Sequence, residues 1–180
     1  MTSPYETLSS RIAYANRWTR LREDSIRLPD GTESVFGVVE RSDFVIVVPL
    51  RDGHITLVEQ FRYPIQARIW EFPMGMWDER PDADPALVAA RELREETGLV
   101  AGAMHHAGVV FQGPGYCSQR GHVFLATDLS QQETEREITE QDMISREFPL
   151  PVFESMVRDG VVNEAMTLAT FGLLRLKGLL

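Results

Sequence analysis

Cysteine is almost missing from this chain: Cys117 is the single example among 180 residues. That excludes an internal disulfide framework and fits a reducing compartment, so the cytoplasm is expected. Basic residues are also scarce, with 18 Lys and Arg against 27 Asp and Glu, a formal charge of −9. Such a surface repels nucleic acid and carries no basic stripe for tracking phosphates. No apolar run reaches membrane-spanning length before charge or proline interrupts it, so no membrane association is expected. The opening MTSPYETLSSR lacks a charged segment followed by an apolar stretch, and no signal peptide is expected. The glycines of GPGYC (113–117) are not followed by Gly-Lys-Ser/Thr, which excludes a phosphate loop. His54, His105, His106 and His122 show no metal-ligand spacing, and Cys117 has no paired base in the sequence. An acidic protein can still handle an anionic small substrate when divalent cations sit between its carboxylates and the phosphates.

What remains is ordinary for one soluble domain, with 43% hydrophobic and 25% charged residues. Residues 1–15 carry little pattern and read as a loose lead-in or a short helix. Residues 17–40 read as two strands joined by Pro29-Asp30-Gly31. FVIVVPL (44–50) and HITLVEQF (54–61) read as buried strands around the turn Arg51-Asp52-Gly53. Tyr63 to Pro81 is expected to be mostly loop, with a short strand around 68–72. Further strands are expected at 106–111, 120–129 and 143–150, and two helices close the chain. Strands and helices that do not alternate regularly indicate α+β, or an α/β/α sandwich around a mixed sheet.

The clearest helix starts at Asp84-Pro85, a capping residue before a tolerated proline, and stops at Gly98. Within it Glu92, Glu95 and Glu96 share one face, at i, i+3 and i+4. Leu87, Ala90, Leu93 and Thr97 are expected to anchor the opposite side to the sheet. Crowded carboxylates suit magnesium, which takes a few oxygen ligands and keeps waters and substrate phosphates for the rest. The spacing alone describes a solvated helix face equally well. The full string of Arg, Glu, Glu, Glu and Gly at fixed offsets is rarer, on the order of one chance match per ten thousand chains of this length.

Arg91, Glu92, Leu93, Glu95, Glu96, Gly98 and Leu99 match without exception the second half of the Nudix signature. The chain resembles that hydrolase family, and its ADP-ribose pyrophosphatases in particular. LVEQFRYPI (57–65), WEFPMG (70–75) and GPGYCSQRGHVFLA (113–126) resemble segments of that subfamily, so the likeness covers most of residues 17–175. The first half of the signature departs from the pattern. Two extra residues separate Gly75 from Arg91, and Ala83, between Asp82 and Asp84, stands where a glutamate is usual. Phe36-Gly37 replaces a frequent Arg-Glu pair, while Gly113 and Gln119 replace a serine and a glutamate.

The resemblance implies a Nudix α/β/α sandwich over residues 43–180. It also implies an N-terminal β-hairpin extension over 1–42 that joins two subunits in a homodimer. It implies a diphosphatase acting on a nucleoside diphosphate-sugar, with ADP-ribose to AMP and ribose 5-phosphate as the leading reaction. GDP-mannose, another nucleoside diphosphate compound, or a non-catalytic ligand sensor are the alternatives. By the same resemblance magnesium or manganese is held by Glu92, Glu95, Glu96 and the carbonyl of Met74, with Arg91 bracing the glutamates. Glu95 also counts among the catalytic groups. Arg62 and Glu71 are the substrate-binding candidates, and Tyr63, Trp70 and Trp77 are aromatics that could stack a base or belong to the core. Glu133, Glu135, Glu137, Glu140 and Asp142 supply the acids of a late loop. Glu140 is the expected general base, with Asp142 as an additional ligand.

Overall fold

A computed structural model describes residues 3–76, 83–134 and 141–180. The chain divides into two compact units, Met1–Asp43 with Phe111–Arg120, and Phe44–Val110 with Gly121–Leu180.

The first unit is a three-stranded antiparallel sheet of β1 (Glu6–Ala15), β2 (Arg20–Arg27) and β3 (Glu33–Glu40), in that order. The expected strand pair is therefore β2 and β3, and residues 6–15 form a third strand instead of a lead-in or helix. Every residue of β1 is exposed, so no buried face imposed the alternation by which strands are recognised. The turn expected at Pro29-Asp30-Gly31 is present, with Gly31 at φ +88° and the Thr32 N–H donating to Asp30 Oδ1 at 2.9 Å. Ion pairs line the sheet, within β2 and across its strands. Arg11 meets Glu23 at 2.7 Å, Arg27 meets Glu6 at 2.6 Å, and Arg22 bridges Asp24 and Glu40. Segment 111–120 docks on β3, where the Val39 N–H donates to the Tyr116 carbonyl at 2.7 Å.

The second unit is built on β4 (Phe44–Arg51), β5 (His54–Arg62), β6 (Ala67–Glu71), β7 (Met74–Met76), β8 (Leu99–Phe111), β9 (Arg120–Gln131) and β10 (Ile144–Pro149). The strand order is β10-β5-β4-β9-β8, with β6 paired to β5 and β7 to β4. β4 and β9 run parallel, Phe44 opposite Gly121 through Pro49 opposite Ala126. Strand alternation sorts the core into two layers. Phe44, Ile46, Val48, Val123 and Leu125 face the layer of α2 (Leu150–Arg158) and α3 (Ala165–Leu176), which supply Phe153, Met166 and Leu174. Val45, Val47, Phe124 and Ala126 face α1 (Pro85–Thr97) through Val88, Ala89 and Leu93. This is the expected α/β/α sandwich around a mixed sheet.

Two strands differ from expectation. β8 begins at Leu99, well before 106, because Ala101-Gly102-Ala103 at the sheet edge gives no apolar signal. β7 occupies three residues of a stretch expected to be loop. Among the described residues no helix is long and apolar enough to cross a membrane.

Candidate active site

α1 is bounded as its punctuation predicts. Asp84 accepts the Ala86 N–H at 2.9 Å, and Gly98, at φ +73°, returns its N–H to the Arg94 carbonyl at 2.8 Å. Asp84 thus serves the helix start in a signature whose usual glutamate is Ala83. The buried face, however, is not the expected one. Leu87 is 71% exposed and Ala90 is exposed, whereas Val88, Ala89, Glu92, Leu93, Glu96 and Thr97 are buried. Leu93 and Thr97 anchor the helix as expected, but Val88 and Ala89 replace Leu87 and Ala90. The carboxylates lie on the packed side of the helix.

Glu92 and Glu96, one turn apart, are 7% and 1% exposed. Burying an ionised carboxylate is costly unless positive charge or hydrogen bonds compensate, and two like charges at this spacing raise the cost. Arg91 supplies part of the compensation, with Nη2 2.8 Å from Glu92 Oε1 and Nε 3.5 Å from Glu95 Oε2. The half-buried Glu95 is thereby joined to the same set. Gly75 explains how β7 approaches: a Cβ there would overlap the Glu92 carboxylate. Glycine inside a strand often marks a close approach of this kind, the one sequence signal for this contact. Met74, beside it, pairs with Ile46 of β4. Among the described residues no three Asp, Glu, His or Cys side chains are grouped so as to hold a metal ion by themselves. The donor set instead suits magnesium, which takes one or two carboxylates and completes its shell with water and phosphate.

The other candidates separate into two groups. Glu71, at the end of β6, is 1% exposed and lies with Oε1 2.7 Å from Nη2 of the half-exposed Arg62. Burial pushes its carboxyl above the ordinary range, Arg62 opposes that shift, and the charge of Glu164 adds to it. Trp70 packs edge-on against Phe148, 5.1 Å between centroids, under the Arg146 guanidinium. Tyr63 is exposed, and Trp77 lies outside the described residues.

In the late loop, Glu133 is exposed, and Glu135, Glu137 and Glu140 lie outside the described residues. Asp142, expected as an additional ligand, is engaged by Arg68, with Nη1 2.7 Å from Oδ2 and Nη2 donating to the backbone carbonyl at 2.9 Å. The loop's other end is fastened to α1. The Gln132 N–H donates to the Gly98 carbonyl at 2.7 Å, and Gln131 Nε2 donates to the Thr97 carbonyl at 3.1 Å. In the first unit, Gln119 is buried and donates to the Ser42 carbonyl at 2.6 Å.

The raised carboxyl of Glu71 gives a prediction about stability. A group whose pKa is raised on folding contributes fully below its unfolded value, and the contribution is lost as pH rises through the folded one. Glu71→Gln does not titrate. The melting temperature of the wild type relative to Glu71→Gln should therefore fall with rising pH over the range above the ordinary carboxylate pKa of about 4. Parallel melting curves across that range would contradict the assignment.

Comparison with known proteins agrees with this geometry. Residues 40–153 match the NUDIX domain, and residues 5–39 match the nucleoside diphosphate sugar hydrolase N-terminal domain. An ADP-ribose pyrophosphatase of Mycobacterium tuberculosis is 33% identical over 167 residues, covering 92% of this chain and 80% of that protein. One from Bacillus subtilis is 30% identical over 174 residues, covering 96% of this chain and 93% of the other. The fold is shared with the crystal structure of an ADP compounds hydrolase, at a TM-score of 0.86 and 21% identity over 100% of this chain and 99% of that one. A matched domain spanning most of the chain, around a helix with buried Glu92 and Glu96, identifies this protein as a member of the Nudix hydrolase family.

Proposed function

We propose that the chain hydrolyses the diphosphate bridge of a nucleoside diphosphate-sugar, converting ADP-ribose to AMP and ribose 5-phosphate. The observation that carries this reading is the pair of buried carboxylates, Glu92 and Glu96, with the glycine of β7 closing against Glu92. Glu92, Glu96, Glu95 and the Met74 carbonyl would hold magnesium or manganese. A cation bound there would supply Lewis-acid polarisation of a water and offset charge on the phosphorus oxygens. Arg91 keeps Glu92 and Glu95 oriented. Arg62, with a planar fork suited to phosphate or carbonyl oxygens, and Glu71 would bind the nucleotide. Glu140 would take the proton of the attacking water. The two relatives named ADP-ribose pyrophosphatase support this substrate over others.

The test is a panel of nucleoside diphosphate compounds, incubated with magnesium or manganese and read by phosphate release after a coupled phosphatase. ADP-ribose should be cleaved best. GDP-mannose as the preferred member would transfer the reading to that substrate, a result to which the Phe36-Gly37 and Gln119 departures would then be relevant. No cleavage of any member would replace hydrolysis by ligand sensing.

The active form proposed is a homodimer joined partly through residues 1–42, in the cytoplasm, where the lone Cys117 stays reduced. Leu8, Ile12, Tyr14, Val35 and Phe36 are exposed apolar residues of the first unit, and small sheets seldom stand without a covering surface. Sedimentation at micromolar concentration should give twice the chain's 20.4 kDa. A fully active monomer would contradict the assembly.

A further inference from the structure

α3 reaches the junction that carries Glu71 through side chains the proposed reaction does not use. Glu164 caps α3 with both oxygens, Oε1 accepting the Met166 N–H at 2.8 Å and Oε2 accepting the Thr167 N–H at 2.6 Å. Thr167 is 0% exposed, and its Oγ1 accepts the Phe72 N–H at 3.1 Å. That amide is the peptide group that follows the Cα of Glu71. Between β6 and β7 lie only Phe72 and Pro73, and proline has no N–H, so the Phe72 amide is the junction's sole backbone donor. The Pro73 carbonyl is used as well, accepting the Val47 N–H at 2.9 Å. The Phe72 ring is clamped from the helix layer, 5.6 Å from Phe153, itself 4.9 Å from Phe171. Backbone and side chain are thus fixed on both sides of the bond that aims Glu71.

We propose that Thr167, oriented by the Glu164 cap, is a positioning residue of the substrate pocket: it fixes the Glu71–Phe72 peptide plane so that Glu71 meets Arg62, and so sets affinity for the nucleotide without touching it. This rests on the reading that Arg62 and Glu71 contact substrate. The same junction leads through Pro73 to the Met74 carbonyl, so kcat separates the two directions: an effect confined to KM places the role of Thr167 at Glu71 and not at the metal ligands.

The test is steady-state kinetics on ADP-ribose for Thr167→Val, Thr167→Ser, Arg62→Ala and the Arg62→Ala/Thr167→Val double variant. Thr167→Val keeps the shape and removes the acceptor, leaving a buried donor unsatisfied. It should raise KM roughly three- to tenfold with kcat within about twofold, and Thr167→Ser should restore KM. Arg62→Ala should raise KM by itself, and adding Thr167→Val to it should change nothing further, because both act on one interaction. Additive effects, an equal loss in kcat, or no rescue by serine would make Thr167 a packing residue and overturn the proposal. If Arg62→Ala raises KM while Thr167→Val does not, the positioning role alone falls. If Arg62→Ala leaves KM unchanged, the substrate contact falls and the positioning role with it. Should Thr167→Val fail to fold, Thr167→Ala carries the same cycle.

Discussion

Glu96→Gln should lower turnover of ADP-ribose by more than about a hundredfold, since even residues that only support a metal's ligands cost up to that much when replaced. The substitution keeps the side-chain volume and gives up one charge. Glu96 is 1% exposed and one turn from the buried Glu92, so its charge is held at a cost that a bound cation would offset. Without metal the Gln variant loses a like-charge repulsion and keeps its packing. Its melting temperature in chelator should stay within about 4 °C of wild type, equivalent to roughly 1 kcal/mol in a chain of this size. Activity and stability are thereby separated in one variant. Near-normal turnover in a folded Glu96→Gln protein would reduce the glutamate face of α1 to a structural feature.

Glu140→Gln should lower kcat by about a hundredfold to ten-thousandfold, the usual contribution of a general base, with KM little changed. If Glu92, Glu95 and Glu96 all engage metal, their lone pairs are occupied and the proton must go elsewhere. The described residues on either side of the loop are held. The loop leaves β9 at Gln131 and Gln132, both bonded to the C-terminal end of α1, and rejoins the sheet at Asp142, bonded to Arg68 of β6. Comparison with Glu92→Gln isolates the role. Unchanged turnover in Glu140→Gln, beside a Glu92→Gln variant that is inactive with metal still bound, would move the base into α1.

The boundaries of α1 were legible in the sequence because Asp84-Pro85 and Gly98 act through local backbone chemistry that needs no partner. The face it buries was not. A hydrophobic pattern counts every glutamate as polar, so it left Glu92 and Glu96 off the packed face and set Leu87 against the sheet. The carboxylates that matter for function are the ones that break the pattern. β4 was legible from FVIVVPL, which is apolar throughout because both of its faces are covered. β1 was missed for the opposite reason, since all of it is exposed and nothing required its residues to alternate. The candidate metal ligands could be named from the matched string Arg91–Leu99, but the steric reason for Gly75 depends on β7 lying against Glu92. Thr167 carried no signal, because a threonine near a helix start describes many helices, and its contact with Phe72 spans 95 residues of sequence.

The most direct test of the account is a metal titration of chelator-treated protein with ADP-ribose, wild type beside Glu96→Gln, with products identified. The account predicts no cleavage before metal is added. Added magnesium should then release AMP and ribose 5-phosphate from the wild type, while Glu96→Gln stays inactive or needs far more metal. Full turnover in excess chelator, or identical metal dependence in the two proteins, would contradict it.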